Sequence, residues 1–153
     1  MLEVTFESVK VATNEFFRLH WPTSEPQVPT WNSPWNLVGT LPGHNMQGIY
    51  LLMGKNDVVL YIGVGASLGG SSYLGHGLGS RTNKYIYVIE GQNGVPISER
   101  KYSPKEIWAM RGLSKIVTLG FKPDYAYLSY CLESYLMREF APPYNKVRSA
   151  RIK

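Results

Sequence analysis

The chain has 153 residues, of which 44% are hydrophobic, and it contains a single cysteine. A chain of this length fits one domain with its own core, and one cysteine excludes a disulfide framework within it. The formal net charge of +5 favours anionic partners, because lysines and arginines that neutralise phosphates release condensed counterions.

The N-terminal residues and the apolar stretches bear on where the protein is expected to work. The start of the chain carries Glu3 and Glu7 and has no apolar run of signal-peptide length. No uncharged apolar stretch reaches the roughly 20 residues that span a bilayer. We therefore expect a soluble, cytoplasmic protein with no membrane partner.

The first 46 residues are predicted to form a helix and then an arm rich in proline and tryptophan. Thr5 to His20 has apolar residues at approximately helical spacing. The following prolines are too dense for regular structure, since each fixes φ and removes a backbone donor. Trp21, Trp31 and Trp35 lie among them, so we expect an ordered arm that packs on the domain, a second subunit or the substrate.

Two short apolar runs, Gly48–Met53 and Val58–Val64, predict an antiparallel hairpin because a turn-rich gap separates them. A glycine-rich stretch from Gly63 to Gly79 comes next. Residues Ser80 to Tyr87 are predicted to continue as a helix, although Ile86–Ile89 fits a strand equally well.

Three further elements are predicted in the C-terminal half. Ser103 is predicted to cap a short helix that has Pro104 at its first position. Leu113–Leu119 is predicted to be a strand. Pro123 to Phe140 is the strongest predicted helix, since it starts at a proline and stops before two prolines.

The apolar residues of the last helix predict which side faces the core. They recur at helical spacing and form one stripe: Leu128, Cys131, Leu132, Tyr135 and Leu136. On this stripe Cys131 is predicted to be a core residue rather than a nucleophile. Glu133 lies well off the centre of the stripe, whereas Glu139 lies closer to it.

Two common kinds of site do not fit the sequence. Zinc ligands are usually clustered, but the three histidines are scattered and there is one cysteine. The segment Gly63–Leu68 follows a strand as a dinucleotide-binding turn does, but Leu68 stands where the third glycine belongs. We therefore expect no organic cofactor.

One ordered set of motifs remains. It consists of Gly48-Ile49-Tyr50, Tyr61-Ile62-Gly63, Arg81 with Tyr85 four residues later, Glu133 on the long helix, and Asn145 after two prolines. In this order the set resembles the motifs of the GIY-YIG nuclease family. Arg81 comes twenty positions after Tyr61, a longer spacing than in compact members, so the glycine-rich stretch looks like an insertion.

The resemblance implies both a fold and an activity. Residues 47–153 would form an α/β domain with a small three-stranded, mostly antiparallel sheet flanked by helices, and residues 1–46 would be an addition to it. The activity would be hydrolysis of phosphodiester bonds by an endonuclease. The implied catalytic residues are Tyr50, Tyr61, Arg81, Tyr85, Glu133 and Asn145, and Glu133 would also bind one Mg²⁺ or Mn²⁺ ion.

Each implied role has a chemical requirement. Tyr50 could act as a base only with a lowered pKa, because an ordinary tyrosine pKa near 10 leaves little phenolate at neutral pH. A nearby metal or Arg81 would lower that pKa, while Tyr61 and Tyr85 would orient Tyr50 or the water. Asn145 is expected to brace the site. Taken singly, strand tyrosines usually pack and helix glutamates are usually solvated.

Several functions remain open from sequence. The first choice is a restriction-type endonuclease that cuts duplex DNA as a homodimer. The nearest alternative is a phage or repair nuclease that acts on branched or loosely specified DNA. A non-catalytic nucleic-acid-binding module with the same fold, or a basic protein that docks another protein through its tryptophan arm, would belong to different classes.

Overall fold

The structure of the protein, a computed structural model, describes residues 3–67 and 77–146. Its main elements are α1 Phe6–His20, β1 Gln47–Met53, β2 Val59–Gly65, α2 Leu78–Thr82, β3 Ile86–Val88, β4 Tyr102–Pro104, α3 Glu106–Met110, β5 Lys115–Phe121 and α4 Leu128–Glu139. The predicted mixed α/β class is confirmed. Residues 68–76 of the predicted glycine-rich insertion lie outside the described residues. None of the helices in the described ranges has the length and apolar character that a bilayer crossing requires.

The main sheet has three antiparallel strands in the order β2-β1-β5. The predicted hairpin is therefore confirmed, and the predicted strand at Leu113–Leu119 is confirmed with its bounds shifted by two residues. In the β1–β2 register Tyr50 lies opposite Gly63 and Leu52 lies opposite Tyr61. This register places Tyr50 and Tyr61 on one face of the sheet, because alternate residues of a strand share a face.

Helix α1 forms where the sequence predicted it. Thr5 caps it: the Thr5 hydroxyl accepts from the backbone N–H of Ser8, and the Ser8 hydroxyl accepts from the N–H of Thr5. This reciprocal arrangement satisfies two backbone donors that the first turn leaves without helical partners. The apolar side of α1 packs with α4 over one face of the sheet, in a single cluster with β1 and β5.

Helix α4 faces the core with a different side from the one predicted. Its buried residues are Ser129, Leu132 and Leu136, and Cys131 is exposed, so the prediction that Cys131 is a core residue is wrong. With 3.6 residues per turn, the buried side is rotated by roughly 65° from the predicted stripe. The rotation brings Glu133 to the margin of the buried side, where it is half-buried, while Glu139 is exposed. Residues Pro123–Tyr125, predicted as α-helix, form a 3₁₀ turn.

The proline-rich arm packs on the domain, one of the arrangements expected for it. It runs beside β5, where the N–H of Trp35 donates to the carbonyl of Ile116 and the N–H of Ile116 donates back. The indole N–H of Trp31 donates to the Thr13 hydroxyl at 3.1 Å, and that of Trp35 donates to the Val38 carbonyl at 2.8 Å. In this structure these tryptophans therefore anchor the arm through contacts within the chain.

A second, two-stranded sheet was not predicted. It consists of β3 and β4, with Tyr87 opposite Ser103. Ser103 therefore lies in a strand, and the prediction that it caps a helix is wrong; α3 starts three residues later, after Lys105. Pairing with a distant strand outweighs the local cap signal, as long-range contacts often override local propensity. For Ser80–Tyr87, the structure has a short helix, a 3₁₀ turn and then a strand.

Candidate active site

The two motif tripeptides meet across the β1–β2 pair. A Cβ built on Gly63 would overlap the Cζ and the hydroxyl of Tyr50, because the Tyr50 ring lies across β2 at that position. Only glycine leaves the space that this ring occupies. Glycine is therefore required at position 63 for a steric reason. It leaves room for the Tyr50 ring to cross the neighbouring strand.

Three tyrosines predicted for the site lie together on this face of the sheet. Tyr85 enters from the 3₁₀ turn after α2, and its hydroxyl oxygen is 2.6 Å from that of Tyr50. The ring centroids of Tyr50, Tyr61 and Tyr85 are 5.8 to 6.2 Å apart. Tyr50 is only 1% exposed and Tyr85 only 4%, whereas Tyr61 is half-buried. Tyr61 is thus the member of the trio that is open to solvent.

Arg81 lies on α2, four residues before Tyr85, and is half-buried. Burial raises the pKa of both Tyr50 and Tyr85, and the positive charge of Arg81 opposes this with a smaller effect. Within residues 3–67 and 77–146, none of the four ion pairs involves Arg81. Its guanidinium donors therefore have no carboxylate partner there and remain suited to an anionic ligand.

The net pKa shifts of the buried tyrosines run opposite to what a base requires. Burial raises the pKa of Tyr50, and the neighbouring Tyr85 adds to the effect. Burial also raises the pKa of Tyr85. Because removing a phenolate from water is unfavourable, both hydroxyls are neutral at pH 7 in this structure. The lowered Tyr50 pKa that a base would need is not found.

Asn145 is fixed to the outer edge of β2. Its Oδ1 accepts from the N–H of Ile62 and its Nδ2 donates to the carbonyl of Ile62, both at 2.9 Å. The N–H of Tyr144 donates to the carbonyl of Leu60 at 3.1 Å. The segment after α4 thus pairs with β2 on both sides of Tyr61 and holds that residue in position.

Glu133 approaches β2 from another direction. The buried leucines of α4 belong to the cluster on the face opposite the tyrosines. One turn before Glu133, the Tyr130 hydroxyl donates to the carbonyl of Ala66, just beyond the end of β2, at 2.5 Å. Residues three apart share a helix side, so Glu133 lies towards this end of the strand. Glu133 and the tyrosines can therefore meet only around the end or edge of β2.

Three residues beside the tyrosines were missed from the sequence. Trp108 packs edge-on against Tyr61 and Tyr85, with centroids 5.9 and 5.3 Å apart, and against Tyr144 at 5.9 Å. Arg111 lies 4.5 Å from the ring centroids of both Trp108 and Tyr144. The spacing of Trp108 and Arg111, three apart, was a signal that they share a side of one helix.

The described residues contain no group of three or more His, Cys, Asp or Glu side chains placed to hold a metal ion. A Mg²⁺ site needs fewer protein ligands, because this ion keeps several waters and takes further oxygens from a substrate phosphate. A single carboxylate such as Glu133 has the hard oxygen ligands that Mg²⁺ and Mn²⁺ favour.

Comparison with known proteins identified no relative of the chain. No protein-family model, curated protein or solved structure matches the chain. A function for the chain therefore has to be argued from its own residues and their arrangement.

Proposed function

We propose that the protein is a divalent-metal-dependent endonuclease that hydrolyses phosphodiester bonds in DNA. The observation that carries the proposal is the convergence of four motif residues, Tyr50, Tyr61, Tyr85 and Arg81, which come from two strands and one helical segment. Separately each has an ordinary structural explanation. Their meeting on one face, beside an arginine without a carboxylate partner in the described ranges, supports a site for a phosphate group.

Arg81 and Tyr61 are the groups that contact the substrate in this proposal. The planar guanidinium of Arg81 binds phosphoryl oxygens and stabilises their growing negative charge in the transition state. Tyr61 is the open tyrosine, so its hydroxyl contacts the attacking water or the phosphate. Tyr50 and Tyr85 are positioning residues, because their neutral, buried hydroxyls bond to each other and their rings pack beside Tyr61.

Glu133 is the proposed metal ligand. Its half-buried place near the end of β2 supports this role, and Asn145 supports it indirectly by fixing the same strand. When bound there, Mg²⁺ or Mn²⁺ would polarise the phosphate and stabilise the leaving oxygen. Bound substrate is needed to complete the site, since Glu133 and the tyrosines reach β2 from opposite faces.

The finer fold and substrate belong to the same proposal. The order β2-β1-β5, with the motif tyrosines on the first two strands, is consistent with a GIY-YIG domain. Duplex DNA cut in both strands by a homodimer is the first choice, and branched DNA is the alternative within this class. The net charge of +5 supports a polyanionic substrate in either case.

The test is cleavage of supercoiled plasmid by wild type, Glu133→Gln and Glu139→Gln, each with Mg²⁺, with Mn²⁺ and with EDTA. Glu139 is the matched control, because it lies on the same helix and is exposed. We expect wild type and Glu139→Gln to cut only with metal, and Glu133→Gln to lose activity by at least about 100-fold. Discrete fragments from linear DNA would favour a restriction enzyme.

Two results would contradict the proposal. Equal cleavage by wild type and Glu133→Gln would show that Glu133 is not a metal ligand. Absence of cleavage by wild type on plasmid, branched DNA and RNA, together with salt-dependent DNA binding, would instead identify a binding module without catalysis.

A further inference from the structure

The cluster formed by Trp108, Arg111 and Tyr144 has no part in the site as proposed so far. Arg111 follows α3, and its backbone N–H donates to the carbonyl of Ile107, which ends the helix. Its guanidinium carbon is 4.5 Å from the ring centroid of Trp108 and 4.5 Å from that of Tyr144. The planes of the two rings are 79° apart and their centroids are 5.9 Å apart, so the guanidinium lies in the corner between two aromatic rings from distant parts of the chain.

The two ring contacts restrict the position of the guanidinium. Its positive charge is attracted to the faces of both rings, and the planar group carries five N–H donors for other partners. Arg111 is half-buried, and none of the ion pairs within the described ranges includes it. The guanidinium is thus held by two rings and has no carboxylate partner there, which lowers the entropy lost when an anion binds.

The cluster also lies directly beside the tyrosine trio. Trp108 packs edge-on against Tyr61 and Tyr85, and the Arg111 guanidinium lies over its ring. Tyr144 is adjacent in sequence to Asn145, whose side chain accepts a hydrogen bond from Ile62 of β2. Arg111 is consequently separated from Tyr61 by a single aromatic side chain.

We propose that Arg111 binds a backbone phosphate next to the one that is cleaved, and that Trp108 and Tyr144 hold it in place for this purpose. The inference rests on the proposed nuclease function. An arginine held by two ring contacts can make a bidentate contact with a phosphate without reading a base, so the contact is independent of DNA sequence.

The test is the salt dependence of duplex DNA binding, measured by fluorescence anisotropy in EDTA between about 50 and 200 mM salt. One lost phosphate contact reduces the slope of log K against log salt by about 0.9. When the salt concentration rises from about 50 to 200 mM, the fold-loss of affinity should therefore be about threefold smaller for Arg111→Gln than for wild type. Arg100→Gln is the matched control, because Arg100 is also half-buried and, within the described residues, lies over no aromatic ring.

The outcomes separate this inference from the function on which it rests. A smaller slope for Arg111→Gln with a wild-type slope for Arg100→Gln supports the proposal. Equal slopes for wild type and Arg111→Gln, or equal reductions in both variants, would overturn it while leaving the nuclease proposal intact. Trp108→Leu keeps the charge but removes one of the two ring contacts to Arg111, so it should weaken binding at every salt concentration. Salt-independent binding by wild type would overturn both proposals.

Discussion

The two faces of the main sheet differ in composition although the same strands build both. On the face beneath α1 and α4, β1 contributes Ile49, Leu51 and Met53 to an apolar cluster. On the other face, β1 contributes Tyr50 and Leu52, and the cluster there includes Tyr85, Trp108 and the half-buried Tyr61. β1 is buried along its whole length, so neither face is simply the solvent side.

This difference in composition indicates that the two faces have different roles. The buried side chains of the apolar face contribute by burying the surface of two helices. The tyrosine face holds hydroxyl groups and a nearby guanidinium in partly dry surroundings, where polar interactions are stronger than in water. Changes to the buried side chains of the first face should therefore alter stability, and changes on the second should alter activity. Glu133 lies at the margin of α4, outside the buried apolar cluster.

The largest effect on stability is expected from removing a buried aromatic ring from the apolar face. Phe17 is buried on α1 and packs edge-on against Phe121 of β5, with centroids 6.0 Å apart. Phe17→Ala should lower the free energy of unfolding by about 3 to 5 kcal/mol, because it leaves a cavity. Urea unfolding measures this loss, and the cleavage rate per folded molecule should stay at the wild-type value.

Leu19→Ala is the control on the same helix. Leu19 is 51% exposed, so its truncation should change the free energy of unfolding by no more than about 0.5 kcal/mol. Equal destabilisation by the two substitutions, or a cleavage rate that falls in folded Phe17→Ala, would show that the faces do not act separately.

The next largest effect is expected from disturbing the contact between Gly63 and the Tyr50 ring. A methyl group at Gly63 would overlap the Tyr50 ring, so Gly63→Ala should force Tyr50 away and break its hydrogen bond to Tyr85. Overpacking of this kind costs about 1 to 3 kcal/mol of stability. Urea unfolding measures the cost, and we expect cleavage to fall in the same variant.

A double-mutant cycle sharpens this prediction. In a Tyr50→Leu background the smaller side chain leaves room at Gly63, so adding Gly63→Ala should cost at least about 1 kcal/mol less than it does in wild type. The same cost in both backgrounds would mean that the glycine serves the backbone of β2 rather than the Tyr50 ring.

The features predictable from sequence were those with local signals. The hairpin follows from two β-rich runs and a turn, and α1 follows from its periodicity. Once the hairpin is known, its register puts Tyr50 and Tyr61 on one face. The family resemblance also singled out Arg81 and Tyr85, which the structure places beside them.

The features missed were those decided by distant contacts. Helix α4 buries Ser129 instead of Cys131, and within the described residues the buried Ser129 hydroxyl oxygen has no hydrogen-bond partner. Hydrophobicity alone ranks cysteine above serine for burial, so only the fit of α4 against the sheet could reveal the rotation. Trp108 and Arg111 are near Tyr144 only in three dimensions, and no sequence spacing links them to it.

The smallest expected effect concerns the ionisation of the tyrosine face. Burial raises the pKa of Tyr50 and of Tyr85 above the unfolded value of about 10. A raised pKa means that the folded state holds its protons more tightly. Stability should therefore be unaffected by these groups below about pH 10 and should fall as pH rises above it.

Tyr50→Phe separates this effect from general alkaline unfolding. At neutral pH the variant loses the hydrogen bond to Tyr85 and about 1 kcal/mol of stability. Above about pH 10 its free energy of unfolding should fall less steeply than that of wild type, since one buried ionisable group is gone. Tyr127→Phe, which removes a hydroxyl from a residue that is 56% exposed, should keep the wild-type slope. If Tyr50→Phe also kept that slope in urea unfolding from pH 8 to 11, Tyr50 would not be dry, and its hydroxyl would then be open to the attacking water.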